Sequence, residues 1–176
     1  MGAFVVGGDP VVISTTSGDY ACATFTGPAP KAVSTSGFLP RAQLGAPLSQ
    51  PPINAAEAWA GEWRSGDEQT ITIKPKGDGR ISIEGSATWG GHDPERVKRG
   101  GINAGEIEAE VPIIDGVAAF ATDGDGPAKP FDFKPSDNSD TCRVKLWRLG
   151  PYLVAVDNVR CGGMNVSFTG VYRKAE

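Results

Sequence analysis

The sequence has a single histidine, His92, and three cysteines, and it contains no apolar run near the roughly 20 residues that a membrane-spanning helix needs. One histidine excludes a metal site built from several histidines. A formal net charge of -4 gives no general attraction to nucleic acid. The sequence therefore predicts no metal, no cofactor, no membrane span and no nucleic-acid partner.

Glycine and proline, in contrast, are abundant, with 24 and 14 copies in 176 residues. Each of them costs about 1 to 3 kcal/mol relative to alanine inside a helix, so a helical protein is disfavoured. Short runs of β-branched and aromatic residues alternate with polar ones, and each run ends in Gly, Pro or Asn. This pattern predicts an all-β chain of short strands and many turns.

The stretch 141–174 predicts three antiparallel strands joined by two turns. A turn at Leu149-Gly150-Pro151 would place Cys142 opposite roughly Asn158, which brings Cys161 within reach of a disulfide. We expect a Cys142–Cys161 disulfide and hence an oxidising compartment. The alternative, a metal site, has a spacing that fits no common pattern. The third cysteine, Cys22, is expected to be a buried, inert thiol.

Residues 3–44 contain a series of turn motifs, namely Gly8-Asp9, Gly18-Asp19-Tyr20, Gly37-Phe38-Leu39-Pro40 and a closing Leu44. In this order the block resembles the bacterial SH3-like family, with Phe38 where that family usually has Trp. The resemblance implies a small SH3-like barrel over 1–46 that binds cell-wall peptide or another extended peptide through Tyr20 and Phe38.

Residues 45–56 are rich in proline and uncharged, and we predict a stiff linker over 47–56. The second predicted domain, 57–176, has enough alternating runs for seven to nine strands, which suit an antiparallel meander β-barrel or a sandwich. One hairpin is expected between Ile71-Thr72-Ile73 and Ile81-Ser82-Ile83, with one apolar face.

The second domain begins with Trp59-Ala60-Gly61-Glu62-Trp63 and ends with Tyr172-Arg173, which resembles a lipocalin-type barrel. That resemblance implies a cation-π contact between Trp63 and Arg173. In size and strand number the domain is also similar to small periplasmic barrels that inhibit lysozyme.

Two loops hold the remaining candidate binding residues. The first has a cluster of basic residues with aromatic neighbours, which would suit an anionic partner or a glycan; its members are Trp89, His92, Arg96, Lys98 and Arg99. The alternative is a solvated loop, and no nucleophile motif supports a catalytic His92. The second loop offers Asp157, Asn158 and Asn165 beside the predicted disulfide, either as partner contacts or as caps of their own turn.

Acidic residues are concentrated near Asp123-Gly124-Asp125-Gly126, but this run lacks the further oxygen ligands that a calcium site needs. Carboxylates are also the only catalytic equipment that the sequence offers.

These observations predict a secreted or periplasmic, non-catalytic binding protein whose leader has been removed. Its expected partners are cell-wall peptide or an envelope protein, and inhibition of a cell-wall enzyme is one form of this hypothesis. One alternative is a small cell-wall or glycan hydrolase that uses paired carboxylates. The other is an envelope structural protein, with a filled barrel and an apolar surface patch.

Overall fold

The computed structural model describes residues 5–27, 34–47, 50–122 and 140–175, together with the backbone of 129–130. Regular structure in these ranges is almost entirely antiparallel β, as predicted. The first sheet has three strands in the order β1-β2-β3, with β1 at Val12–Ser17, β2 at Tyr20–Thr26 and β3 at Ser34–Pro40.

The second sheet has nine strands in the order β7-β6-β5-β4-β12-β11-β10-β8-β9 and forms a nearly closed barrel. Its strands are β4 (Gly61–Arg64), β5 (Gln69–Pro75), β6 (Arg80–Trp89), β7 (Asn103–Pro112), β8 (Val117–Thr122), β9 (Lys129–Pro130), β10 (Cys142–Leu149), β11 (Tyr152–Asp157) and β12 (Gly170–Lys174). Each strand pairs mostly with its neighbour in sequence, and the β4–β12 pair joins the two halves. The predicted meander barrel is confirmed.

Large apolar side chains fill the interior of the barrel. The largest of them are below 2% exposed and include Trp59, Trp63, Phe120, Phe168, Tyr172, Ile71, Ile73, Ile81 and Ile83. Their polar atoms are satisfied inside the fold: the indole nitrogen of Trp63 donates to Trp59 O at 2.9 Å, and the Tyr172 hydroxyl donates to Phe168 O at 2.7 Å. The barrel interior is a packed hydrophobic core.

The predicted contact between Trp63 and Arg173 is wrong. The guanidinium of Arg148 lies 4.6 Å from the Trp63 ring centroid, whereas Arg173 lies 4.8 Å from the ring of Tyr152. The reason is strand register, because Lys174 is the residue opposite Trp63 and Arg173 is opposite Tyr152. Side chains alternate along β12, so Arg173 points to the face away from Trp63.

One end of the three-stranded sheet is attached to the outside of the barrel. Arg173 donates to Thr26 O through Nε at 3.2 Å and Nη2 at 3.0 Å, and it also donates to the Tyr152 hydroxyl at 2.9 Å. The Ser34 hydroxyl donates to Val171 O at 3.0 Å. The two sheets therefore share a hydrogen-bonded contact.

The proline-rich segment that was predicted to be a linker also contacts the barrel. Asn54 Oδ1 accepts a hydrogen bond from Gly116 N at 2.7 Å, and Ile53 O accepts one from the Trp59 indole at 2.9 Å. Gln50 accepts a further bond from Gly150 N. The domain boundary stays a prediction, but this segment is bound to the barrel at Gln50, Ile53 and Asn54.

Several local predictions are confirmed and others are wrong. The predicted hairpin is β5–β6, with Ile73 opposite Ile83. Val5 and Val6 are outside regular structure, and β12 begins only at Gly170, so the connection before it is longer than the predicted turn. Cys22 is half-buried rather than buried, and it is free. Asp123–Gly126 lies outside the described residues.

In the described ranges, α1 (Pro94–Lys98) is the one α-helix, and no helix has the length and apolarity to cross a membrane.

Candidate functional site

Two connections lie at the same end of the barrel, namely 90–102 between β6 and β7 and 158–169 between β11 and β12. The second connection contacts the first residues of β7, where the first connection ends. The Asn103 amide donates to Met164 O at 2.6 Å, and Gly163 N donates to Ala104 O at 3.0 Å. We call residues 89–102 and 157–165 the loop face. It unites most of the predicted binding residues: Trp89, His92, Arg96, Lys98, Arg99, Asp157, Asn158 and Asn165.

The predicted disulfide holds the second connection of the loop face to β10. Cys142 and Cys161 are bonded, with their Cα atoms 4.6 Å apart, and both are buried. Next to them the Asn158 side chain accepts from Arg143 N at 3.1 Å and donates to Thr141 O at 2.9 Å. The base of this connection is therefore fixed both covalently and by hydrogen bonds.

Asp157 is buried, and its carboxylate accepts hydrogen bonds from the same connection. It accepts from the Ser167 hydroxyl at 2.6 Å, the Thr169 hydroxyl at 2.6 Å and Phe168 N at 3.1 Å. Burial, together with the charge of Asp157, raises the pKa of Tyr172 far above its usual range. Asp157 thus caps its own connection, as the turn-capping alternative has it, whereas the Asn158 amide binds the backbone at the start of β10.

A backbone-to-backbone contact, which sequence reasoning missed, holds the 158–169 connection against β7. A Cβ atom at Gly105 would lie 2.3 Å from Cys161 O, and one at Gly162 would lie 2.8 Å from Gly105 Cα. Only glycine allows this approach. The Gly162-Gly163 pair after Cys161 is the sequence signal that could have indicated it.

The first connection of the loop face is also well ordered by local contacts. Asp93 caps α1 by accepting from Glu95 N at 3.0 Å and Arg96 N at 3.2 Å. The Arg96 guanidinium lies 4.1 Å from the ring centroid of Trp89, so these two predicted contact residues bind each other. His92, Lys98 and Arg99 are exposed. Among the ion pairs of the described residues, none involves Lys98 or Arg99.

The outward side of the loop face carries four exposed apolar side chains that sequence reasoning also missed. They are Met164 at 77% exposure, Val159 at 66%, Val97 at 47% and Ile102 at 38%. Val159 has a φ of 53°, a left-handed conformation that costs a β-branched residue about 1 to 2 kcal/mol. Glycine would relieve this strain, and the Val159 side chain is mostly exposed, so it is a candidate for contact with a partner.

The other predicted pair, Tyr20 and Phe38, lies on one face of the three-stranded sheet. Cys22 is directly opposite Phe38, and alternation puts Tyr20 on the same face two residues earlier. Tyr20 is 52% exposed and Phe38 is 71% exposed. The hydroxyls of Thr24 and Ser36 bond to each other at 2.8 Å further along this face. We call Tyr20, Cys22, Thr24, Ser36 and Phe38 the aromatic face.

Paired carboxylates occur on the outer surface of β5, β6 and β7. Glu84 and Glu108 are direct cross-strand partners and line a cleft of about 1440 Å³. Lys74 lies 3.3 Å from Glu84. In the part of the chain that the structure describes, Asp157 is the one buried carboxylate. No group of three or more potential metal-ligating side chains is present in that part.

Comparison of the chain with models of known protein families, with curated proteins and with solved structures gave no match.

Proposed function

We propose that this protein is a non-catalytic binding protein of an oxidising compartment, secreted or periplasmic, with two outer contact surfaces on a packed barrel. The observation that carries the proposal is where the exposed apolar side chains lie. Of the ten large ones in the described residues, four are on the loop face and two, Tyr20 and Phe38, are on the aromatic face. Ile13 is on the other face of the three-stranded sheet, and Val5, Val6 and Ile114 are outside both surfaces. Single exposed apolar residues are ordinary, but such concentrations mark contact surfaces.

The aromatic face would be the targeting surface. Its two exposed rings suit the cell-wall or peptide affinity that the SH3-like resemblance implies, and the contact between Arg173 and Thr26 keeps the sheet against the barrel.

The loop face would bind an envelope protein. The disulfide, the Gly105–Gly162 contact and Asp157 hold its backbone, so little conformational entropy is lost when its apolar side chains meet a partner. Because large side chains fill the barrel, we place binding outside it rather than in its interior. A filled barrel is also what the envelope structural alternative requires.

The wall-targeting part is tested by sedimentation of the intact protein with purified peptidoglycan. The double variant Tyr20→Ala/Phe38→Ala should stay in the supernatant, whereas Ile114→Ala, which changes an exposed apolar residue between β7 and β8, should sediment like the unaltered protein. Equal sedimentation of both variants would contradict this part of the proposal.

The loop-face part is tested by capture from envelope extract. A partner retained by the unaltered protein and by Ile114→Asp should be lost with Val159→Asp/Met164→Asp, provided that all three proteins unfold at the same temperature. A partner that binds all three proteins equally well does not use the loop face.

Glycan hydrolysis remains the rival, because Glu84 and Glu108 are adjacent in a cleft. Retaining glycosidases place their two carboxyl groups about 5 to 5.5 Å apart, and directly opposed residues of an antiparallel pair have similar Cβ separations. Release of soluble fragments from peptidoglycan, abolished by Glu108→Gln, would favour this rival over the binding proposal.

A further inference from the structure

We infer that the aromatic face binds an uncharged polysaccharide strand, such as the glycan of a cell wall, rather than the wall's peptide. This inference rests on the proposed wall-targeting function and names the ligand of that surface. It is carried by the chemistry of the side chains that the register of β1, β2 and β3 brings to one face.

The face has no charged side chain. Besides its five members, the register adds Val12 opposite Thr24, Thr15 opposite Cys22, and Ser17 and Pro40 on either side of Tyr20. None of these residues is charged, and β1, β2 and β3 contain no charged residue on either face. In the described residues, Asp19 in the β1–β2 turn and Arg41 just after β3 border the face at one end, and Arg41 donates to Gly18 O at 3.4 Å. A peptide with free carboxylates or amines would find no charged partner among the side chains of the face itself.

The same face combines exposed rings with hydroxyl groups. An aromatic ring has a negative face, against which the C–H side of a sugar ring packs, and a tyrosine adds a hydroxyl at its tip. The hydroxyls of Thr15, Ser17, Thr24 and Ser36 can each donate and accept hydrogen bonds. An uncharged, hydroxyl-rich polymer with apolar ring faces matches both features.

The position of the rings suits a long polymer. The sheet contacts the barrel at Thr26 and Ser34, whereas Tyr20 is six residues earlier on β2. At the usual strand rise this separates Tyr20 from the docking contact by about 20 Å. The aromatic end of the sheet is thus away from the docking contact, and an extended strand can lie across it.

The test is sedimentation of the intact protein with insoluble chitin, a neutral polysaccharide, and in parallel with purified peptidoglycan, with and without soluble stem peptide as competitor. We expect the protein to bind both polymers. Neither added peptide nor about 0.5 M salt, which screens surface charges, should release it. Tyr20→Ala/Phe38→Ala should weaken both by about tenfold or more, from the loss of two stacking rings. Ile114→Ala should bind unchanged.

Phe38→Trp separates loss of the ring from misfolding. Because this variant keeps an aromatic ring, it should bind chitin at least as tightly as the unaltered protein. Binding to peptidoglycan but not to chitin, with release by stem peptide, would overturn the glycan inference and leave the targeting function standing. Binding to neither polymer would remove both.

Discussion

The barrel and the three-stranded sheet are built from the same alternating strand pattern, but they bury very different side chains. The barrel core contains Trp59, Trp63 and Phe168 at 1% exposure or less. The sheet buries mainly Ala21 and Ala23, while its large residues Tyr20 and Phe38 are exposed. Because burial of apolar area drives folding, the barrel supplies most of the stability. The sheet can expose its large side chains because the barrel supports it.

The largest expected effect comes from Trp63→Ala. Removal of this fully buried ring should lower the free energy of unfolding by about 3 to 5 kcal/mol, whereas Phe38→Ala should change it by less than about 0.5 kcal/mol. Urea unfolding of both variants measures the contrast. Similar losses for the two would mean that the sheet has a core of its own.

The disulfide comes next in size. Cys142→Ser/Cys161→Ser should lower the free energy of unfolding by about 3 kcal/mol, because the bond closes a loop across a sequence separation of 19 in the unfolded chain. Cys22→Ser is the matched control and should lie within about 0.5 kcal/mol of the unaltered protein. A double variant that unfolds like this control would show that the hydrogen bonds alone hold the loop face.

Gly105→Ala should lower the free energy of unfolding by about 1 to 3 kcal/mol, since the added methyl group overlaps Cys161 O and displaces the connection. Gly77→Ala has open space around the new atom and serves as its control. The same variant should weaken any binding by the loop face. If both alanine variants unfold alike, the backbone contact between Gly105 and Gly162 has no role in stability.

Arg173→Met should cost about 1 to 2 kcal/mol, because Thr26 O loses its charged donor. Amide hydrogen exchange should accelerate in β1, β2 and β3 while the β10–β11 hairpin stays protected. Uniform acceleration over the whole chain would indicate that the two sheets unfold as one unit. The contrast between a stable barrel and a weaker sheet would then be wrong.

The smallest effect depends on pH. Burial raises the pKa of Tyr172, so above about pH 10 the unfolded chain loses this proton while the folded chain keeps it. The stabilisation is therefore complete below about pH 10 and decreases above it, by up to about 1.4 kcal/mol per pH unit. Tyr172→Phe should reduce this slope in urea unfolding between pH 9 and 11. An unchanged slope would show that Tyr172 titrates normally.

The local strand pattern predicted much of the barrel. The turn at Leu149–Pro151 and the alternation around it were enough to pair Cys142 with Cys161, because a tight turn sets the register of the strands that it joins. The contact of Trp63 could not be predicted in the same way. It depends on the register of β12 against β4, which are far apart in sequence.

For the candidate surfaces, too, local features could be predicted from the sequence and long-range contacts could not. Sequence reasoning named the residues of two loops as separate candidates, but it could not show that the second loop bonds to Asn103 and Ala104 of β7, directly after the first loop. It also missed Val97, Ile102, Val159 and Met164, because periodicity does not show whether an isolated apolar residue in a loop is buried or exposed.

By itself, the sequence determined the all-β class, the main hairpins and the disulfide, since alternation and turn residues act over a few neighbouring positions. The tertiary structure decided which ring and which cation meet, which loops share a surface, and that Tyr20 and Phe38 stay outside a core. Those outcomes depend on long-range strand register and on the packing of the barrel, which no short stretch of sequence encodes.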